Sequence, residues 1–276
     1  MSGWHLRLLQ APAVRLDLRG MTPAALAGLS AAQVEQLRVG FGNTTMALAE
    51  FFKVEPLSPD DSADDSLVFE GDLSRCDRIG WQLASGRITV EGSAGHYAGG
   101  CMSGGELRVK GHAGLLAACE MSGGSLTVEG DVSDFAASTL PGSMDGMRGG
   151  CFIVKGNAGE RFGDRMRRGT ALVFGNAGDF LASRMVAGTI GVGGQAGAHV
   201  GYGMRRGSVV FASTHGTLDI PVTFVPALVD AAVFWQLLAR DLARHGGPFA
   251  GLPSRTMERY LGDLATDGRG ELILAR

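Results

Sequence analysis

A valine–any–glycine step recurs through the middle of this chain at a nearly fixed interval, and that interval limits the possible folds more than any other feature. The step stands at Val90/Gly92, Val109/Gly111, Val128/Gly130, Val154/Gly156, Val173/Gly175 and Val192/Gly194, so its glycines are 19, 19, 26, 19 and 19 residues apart. Phe69/Gly71, 21 residues upstream, reads as an opening repeat. A second ladder keeps the same phase: Leu83, Met102, Met121, Met147, Met166, Met185 and Met204, each with a glycine three residues later, from Gly86 to Gly207. A third is the Ala-Gly pair at Ala94, Ala113, Ala158, Ala177 and Ala196, broken at Val132-Ser133 in the one repeat with seven extra residues. A sustained internal period of this length indicates stacked repeats.

Within a repeat, Ser125-Leu126-Thr127-Val128-Glu129 alternates polar and apolar with period two, as a half-buried strand does. Leu126 and Val128 are expected to point inward. Gly92, Gly111, Gly130, Gly156, Gly175 and Gly194 are read as turn residues. Gly114 and Gly130 in particular stand where the chain must bend sharply, and glycine adopts positive φ at little cost. A second strand is expected to carry each methionine inward. Stacked repeats lie roughly 4.8 Å apart, so seven give a column of roughly 30–35 Å. The repeat is 19 residues long and its faces differ, which argues against the left-handed hexapeptide helix. Parallel crossovers are usually right-handed. The predicted fold is all-β: a right-handed parallel β-helix of about seven 19-residue coils.

Three regions follow: 1–66, a leading segment; 67–212, the repeat column; and 213–276, a tail that caps and docks. In the first, Thr22–Ala27 and Ser30–Leu37 read as short helices, with Ser30 as N-cap. Phe41-Gly42-Asn43 reads as a turn, and Pro59–Asp65 as an acidic linker or exposed loop. In the tail, Val229–Ala243 carries apolar residues at 229, 233, 234, 237, 238 and 242, the spacing of an amphipathic helix. Gly246-Gly247-Pro248 ends it.

Glycine supplies 44 of 276 residues without the collagen period, so a folded repeat is the reading left. Only 19% of residues are charged, which suggests that much of the surface faces other protein. A net charge of −3 leaves no footprint for nucleic acid. Cys76, Cys101, Cys119 and Cys151 form no CxxC pair, so no zinc or redox site is expected. Leu218–Leu238 is apolar, but its aspartates and prolines exclude a membrane span. The reading is a soluble, cytoplasmic chain.

The V-x-G-x-A-G…M-x-x-G repeat resembles the GXGXG domain at the C-terminus of the glutamate synthase large subunit. It is more similar to the C subunit of formylmethanofuran dehydrogenase and of its bacterial relative, the formyltransferase/hydrolase complex. That likeness takes in Gly42-Asn43, Phe51-Phe52-Lys53-Val54 and the tail from Arg259 to Ile273. It implies assembly with an amidohydrolase-like A subunit, a B subunit and a formyltransferase-like D subunit. Such a complex passes a formyl group from formyl-tetrahydromethanopterin to a methanofuran-type carrier and hydrolyses it to formate. The alternative is the C subunit of a tungsten or molybdenum formylmethanofuran dehydrogenase. In either case no cofactor, metal or catalytic residue is expected on this chain, the metal lying in another subunit.

Residues that invite a catalytic role are better read otherwise. His96, His112 and His199 lie near turns, on different repeats, with no carboxylate expected at a matching position. Asp131, Asp134 and Asp145 fall in the long repeat, and an independent hydrolase or lyase is disfavoured. Gly191-Val192-Gly193-Gly194 repeats as a turn rather than a phosphate cradle. Arginines are the exception. Arg148, Arg167, Arg168, Arg205 and Arg206 follow their methionines and should form a ridge on one face, bordered by Arg165 and Arg184. The ridge reads either as a solvated or partner-binding basic face, or as an anion site for the carrier's glutamyl-rich tail, since arginine forks suit carboxylates.

Overall fold

Hydrogen bonds between successive repeats organise the chain. The computed structural model describes residues 3–57, 66–213, 219–229 and 231–276; the acidic Pro59–Asp65 segment lies outside them. The leading segment holds β1 (Trp4–Leu8), β2 (Leu16–Asp17), α1 (Pro23–Leu26), α2 (Ala31–Glu35), β3 (Arg38–Phe41), β4 (Thr44–Ala47) and β5 (Phe52–Pro56). The repeats supply β6 (Ser66–Glu70), β7 (Cys76–Asp77), β8 (Arg87–Val90), β9 (Ser103–Val109), β10 (Gly123–Val128), β11 (Arg148–Val154), β12 (Arg168–Val173), β13 (Thr189–Val192) and β14 (Ser208–Phe211). The tail adds β15 (Val225–Pro226), α3 (Ala232–Ala243), β16 (Met257–Gly262) and β17 (Gly270–Ala275).

The protein is mostly β. One 13-stranded sheet runs β15-β16-β17-β14-β13-β12-β11-β10-β9-β8-β6-β1-β5 among the described residues. Its middle is parallel and in register: Val90 pairs with Val109, Val109 with Val128, Val128 with Val154, Val154 with Val173 and Val173 with Val192. These valines, and the ladder methionines Met102, Met121, Met147, Met166, Met185 and Met204, are fully buried. A second contact line is a chain of single parallel bridges, Leu73–Ala94–Ala113–Val132–Ala158–Ala177–Ala196. At both ends the sheet becomes antiparallel, β1 with β5 and β17 with β16 with β15. A smaller sheet, β4-β3-β2-β7, joins the leading segment to the first repeat.

Among the described residues, no second strand carries the methionine in any repeat, and the two-residue β7 of the first repeat lies before that point. In its place the chain alternates residues of positive and negative φ, as at Tyr97, Gly99 and Cys101, or at Leu116, Ala118 and Glu120. A left-handed non-glycine residue costs roughly 1–2 kcal/mol in isolation. Here every such residue from Arg78 to Arg184 is held from a neighbouring repeat. Tyr97 N–H donates to Leu115 O (2.8 Å), Gly99 N–H to Ile79 O (2.9 Å) and Cys101 N–H to Cys119 O (2.8 Å). Alternate amides thus reach forward and backward along the stack, and the methionine closes the segment.

The six glycines Gly92, Gly111, Gly130, Gly156, Gly175 and Gly194 stand at bends just past the strands, but none has positive φ, nor has Gly114. Close approach is the demand there: a Cβ on Gly175 would sit 2.4 Å from Asn157 Oδ1 and 2.8 Å from Gly156 O. Positive φ belongs to the glycines after the methionines, such as Gly124 at +78°.

The seven extra residues are narrower than the expected excursion from Val132 to Met144. Phe135 N–H donates to Glu160 O and Ala137 N–H to Ala117 O, so residues through 138 keep the repeat's bonds. Only 139–145 depart from it. The helices of the leading segment are those expected, Thr22 capping α1 and Ser30 with Gln33 forming a capping box on α2. The tail helix α3 differs in orientation. It buries Trp235, Ala239 and Leu242 against Leu172, Val210 and Ile273 on the sheet's outer face, whereas Val233, Phe234 and Leu237 are exposed. Both sides of the helix are apolar, so the 3.6-residue spacing does not select the inner one.

Candidate functional site: an arginine cleft

Four of the five ridge arginines, all but Arg206, are set by a main-chain bond to the methionine one repeat back. Arg148 N–H donates to Met121 O (2.7 Å), Arg167 to Met147 O (2.7 Å) and Arg205 to Met185 O (2.8 Å). Arg148 opens β11 and Arg168 opens β12, directly opposite each other in the ladder. The structure brings all five, Arg148, Arg167, Arg168, Arg205 and Arg206, around one cleft of about 560 Å³. The ridge is interrupted, however. Val186 and Ala187 occupy the equivalent positions in the intervening repeat and line the cleft between the arginine pairs. The sequence carries that gap openly, since Val186-Ala187 follows Met185 as Arg167-Arg168 follows Met166.

The arginines differ in partnership. Arg167 pairs with Asp145 at 2.5 Å, and Arg148 reaches Glu120 at 4.0 Å. Arg168, Arg205 and Arg206 have no carboxylate within 4.0 Å among the described residues. Arg165 and Arg184 line an adjoining cleft of about 550 Å³ that shares Arg167, Val186 and Arg205. Arg184 is tied down there: Asp164, buried, accepts from its Nε (3.0 Å) and Nη2 (2.9 Å) and from Ser183 Oγ (2.5 Å). A guanidinium stays protonated, so this cleft can bind carboxylates by forked, charge-assisted bonds but supplies no acid–base chemistry.

The histidines are parts of the stack. His96 Nδ1 accepts from Leu115 N–H (3.0 Å), and His112 Nδ1 accepts from Asp131 N–H (2.9 Å). Ser93, Asp131, Asn157 and Asn176 do the same at the position of His112, and Asp77, Asp134 and Asp179 at the position of His96, each taking the amide one repeat on. Carboxylates do recur in register with the histidines, contrary to expectation. Asp77 lies one repeat before His96 and accepts its N–H, and Asp131 lies 3.5 Å from His112 Nδ1. Each histidine's Nδ1 is occupied as a main-chain acceptor, so neither pair forms a catalytic dyad. His199 stacks on Phe180 at 4.7 Å. Burial raises the pKa of all four thiols, that of Cys76 to about 12, which keeps them protonated. Among the described residues no group of three or more His, Cys, Asp or Glu is placed to hold a metal, and no helix is long and apolar enough to cross a membrane.

Stacked glycine-turn repeats with their parallel ladder define a class of protein built on one repeated scaffold. The GXGXG motif family matches residues 75–224. The C subunit of the formyltransferase/hydrolase complex of Methylorubrum extorquens is 46% identical over 81 residues, which is 29% of each chain. The C subunit of the tungsten-containing formylmethanofuran dehydrogenase 2 of Methanothermobacter marburgensis is 32% identical over 32% of this chain and 33% of its own. These matched stretches therefore span a third or less of the curated relatives. A chain in the crystal structure of the M. extorquens complex with methylofuran superposes with a TM-score of 0.89, at 42% identity over 99% of both chains. The chain belongs to the GXGXG family and, within it, to the C-subunit family of the formyltransferase/hydrolase and formylmethanofuran dehydrogenase complexes.

Proposed function

We propose that the chain is a non-catalytic structural subunit of a cytoplasmic formyltransferase/hydrolase complex, wound as a right-handed parallel β-helix of about seven coils. Right-handed winding follows the strong preference of parallel crossovers. The observation that carries the subunit reading is end-to-end likeness, 42% identity over 99% of the chain, to a protein solved inside such a complex. The partners would be an amidohydrolase-like A, a B and a formyltransferase-like D subunit. The reaction would pass a formyl group from formyl-tetrahydromethanopterin to a methanofuran-type carrier and on to formate. Metal and pterin chemistry would lie on those partners. The formyltransferase/hydrolase relative is nearer in identity than the tungsten dehydrogenase, 46% against 32%, which favours the first complex.

Within that assembly the arginine cleft would hold the carrier's glutamyl-rich tail. Three arginines without carboxylate partners around an apolar floor support this reading, because a chain of carboxylates supplies the missing counter-charges. Native pull-down with mass spectrometry tests the subunit assignment: an amidohydrolase with a formyltransferase is expected, and a tungsten or molybdenum protein would move the chain to the dehydrogenase. In the purified complex, Arg167→Gln, Arg168→Gln, Arg205→Gln and Arg206→Gln combined should raise the apparent KM for the natural carrier. A carrier lacking the glutamyl chain should be unaffected, and the effect should shrink with salt. An unchanged KM would remove the tail from this cleft.

A further inference from the structure

The loop formed by residues 139–145 meets the arginine clefts in a way that the ridge alone does not account for. It is attached to the column through side chains: among the described residues, no main-chain to main-chain hydrogen bond joins it to another repeat. Leu140 N–H donates to Glu120 Oε1 (3.3 Å), a side chain whose other oxygen lies 4.0 Å from Arg148. Arg165 Nη1 donates to Met144 Sδ (3.0 Å). Asp145 Oδ1 lies 2.5 Å from Arg167 Nε. Two attachments thus end on arginines of the clefts, and the third shares its carboxylate with one.

Little else holds the loop down. A cavity of about 330 Å³ lies beside it, lined by Leu116, Phe135, Leu140, Pro141, Asp164 and Arg184 among others. Met144 is 64% exposed. A segment with neither main-chain bonds to its neighbours nor a close-packed floor opens at low free-energy cost. The Asp145–Arg167 pair adds little to that cost, because both side chains are substantially open to water, which screens such pairs.

Arg167 is also the wrong place for a purely structural ion pair. It lines both clefts, and its guanidinium is one that an anion spanning them would use. Two carboxylates on one guanidinium repel each other. A flexible chain carrying several carboxylates gains from each further arginine it reaches, whereas the loop supplies a single one. The loop's carboxylate is the weaker competitor.

We propose that residues 139–145 are a strap that responds to occupancy of the arginine cleft: Asp145 is an internal competitor for Arg167, and a polycarboxylate ligand displaces it and releases the loop. This rests on the reading of the cleft as a carboxylate site, and it adds how that site is regulated. The loop is then fastened in the free chain and mobile in the loaded one, so the same seven residues that weaken the first carboxylate contact also signal that it has been made.

The experiment uses the purified full chain at low salt, with hexaglutamate as probe and hexaglutamine as its uncharged control. Asp145→Asn should bind hexaglutamate about three- to fivefold more tightly than the parent by calorimetry, the range that an exposed ion pair can withhold. In an Arg167→Gln background the same substitution should change nothing, because the two carboxylates no longer share a guanidinium. In the parent chain, saturation with hexaglutamate should make the amides of 140 and 142–145 exchange at least about threefold faster. If Asp145→Asn misfolds, the exchange of the parent decides. An unchanged affinity in Asp145→Asn, or an equal gain in the Arg167→Gln background, would reduce Asp145 to part of the general field and overturn the strap. Loop amides that keep their rate or slow down on binding would overturn it as well. Each of these outcomes leaves the cleft as a carboxylate site. Hexaglutamate that binds parent and variant no better than hexaglutamine would sink both readings.

Discussion

Arg148 and Arg168 sit directly opposite each other in adjacent parallel strands, like charge beside like charge. Cross-strand pairs of one sign destabilise a sheet, by roughly 0.2–1 kcal/mol. The chain therefore carries a local cost at the mouth of its cleft. Replacing Arg168 by glutamine should raise the unfolding midpoint of the isolated chain at low salt, by about 1–3 °C for a domain of this size. The gain should vanish at high ionic strength, where the charges are screened. A variant that melts lower than the parent would mean that Arg168 is held by favourable contacts.

Val128 tests the register of the column. Its side chain is fully buried, between Val109 and Val154 in the ladder. An aspartate there would place an unpaired carboxylate in the core at a cost of several kcal/mol. Val128→Asp should fail to give a cooperative unfolding transition by circular dichroism. Thr127→Asp, one residue away on the outer face, should fold. Cooperative folding of the first variant would be incompatible with the assigned register.

Asp164 and Arg184 make an asymmetric pair, because the carboxylate is buried and the guanidinium is 40% exposed. Removing the arginine strands the carboxylate, whereas removing the carboxylate's charge frees the arginine to reach water. Arg184→Met should cost about 3 kcal/mol. Asp164→Asn, which can still accept from Ser183 Oγ, should cost about 1 kcal/mol. Urea unfolding of both variants gives the order, and the reverse order would contradict this account.

His96 should make stability fall on mild acidification. Burial lowers its pKa, and the positive charge of Arg15 lowers it further. Its Nδ1 is already engaged as an acceptor from Leu115 N–H. Above about pH 6.5 the ring is neutral in both folded and unfolded chain, and its contribution is complete. As pH drops below that, the unfolded chain takes up a proton that the folded chain resists, so stability declines until the folded pKa is passed. His96→Asn keeps an acceptor without the titration, as Asn157 and Asn176 show at a neighbouring turn position. The variant's midpoint should depend less on pH between about pH 7 and about pH 5.5. Equal slopes would exclude His96 as the source.

The period, the inward valines and methionines, and the arginine positions are legible in the sequence because stacking forces equivalent residues into equivalent places. The turns are not legible in that way. Tyr97, Leu116, Phe135, Arg161, Phe180 and His199 all hold positive φ at one shared position, and although all but Leu116 are planar groups that stack on a neighbour, none is glycine, the type that favours positive φ. At the first five, hydrogen bonds to the next repeat hold that conformation, so no glycine or asparagine marks it. The facing of α3 is hidden for a different reason, since both its sides are apolar. Outward strand positions do hold a signal. They read Thr89, Arg108 and Thr127, then change to Ile153 and Leu172 where the tail covers the sheet. The cleft itself depends on the break at Val186-Ala187, which matters only once the repeats are laid side by side.

The reversal of strand direction at both ends makes the column a ruler of fixed length. The run of parallel rungs, and with it the 19-residue period, stops at β1 and β17, beyond which the strands turn antiparallel. A partner that approaches from the side would span several rungs at once. Each rung then sets a distance: excising one whole repeat would leave every contact locally intact but slide the two halves of a lateral partner's footprint closer by roughly 4.8 Å. For such a partner the number of repeats would set the spacing between any two docking points, measured in units of one strand.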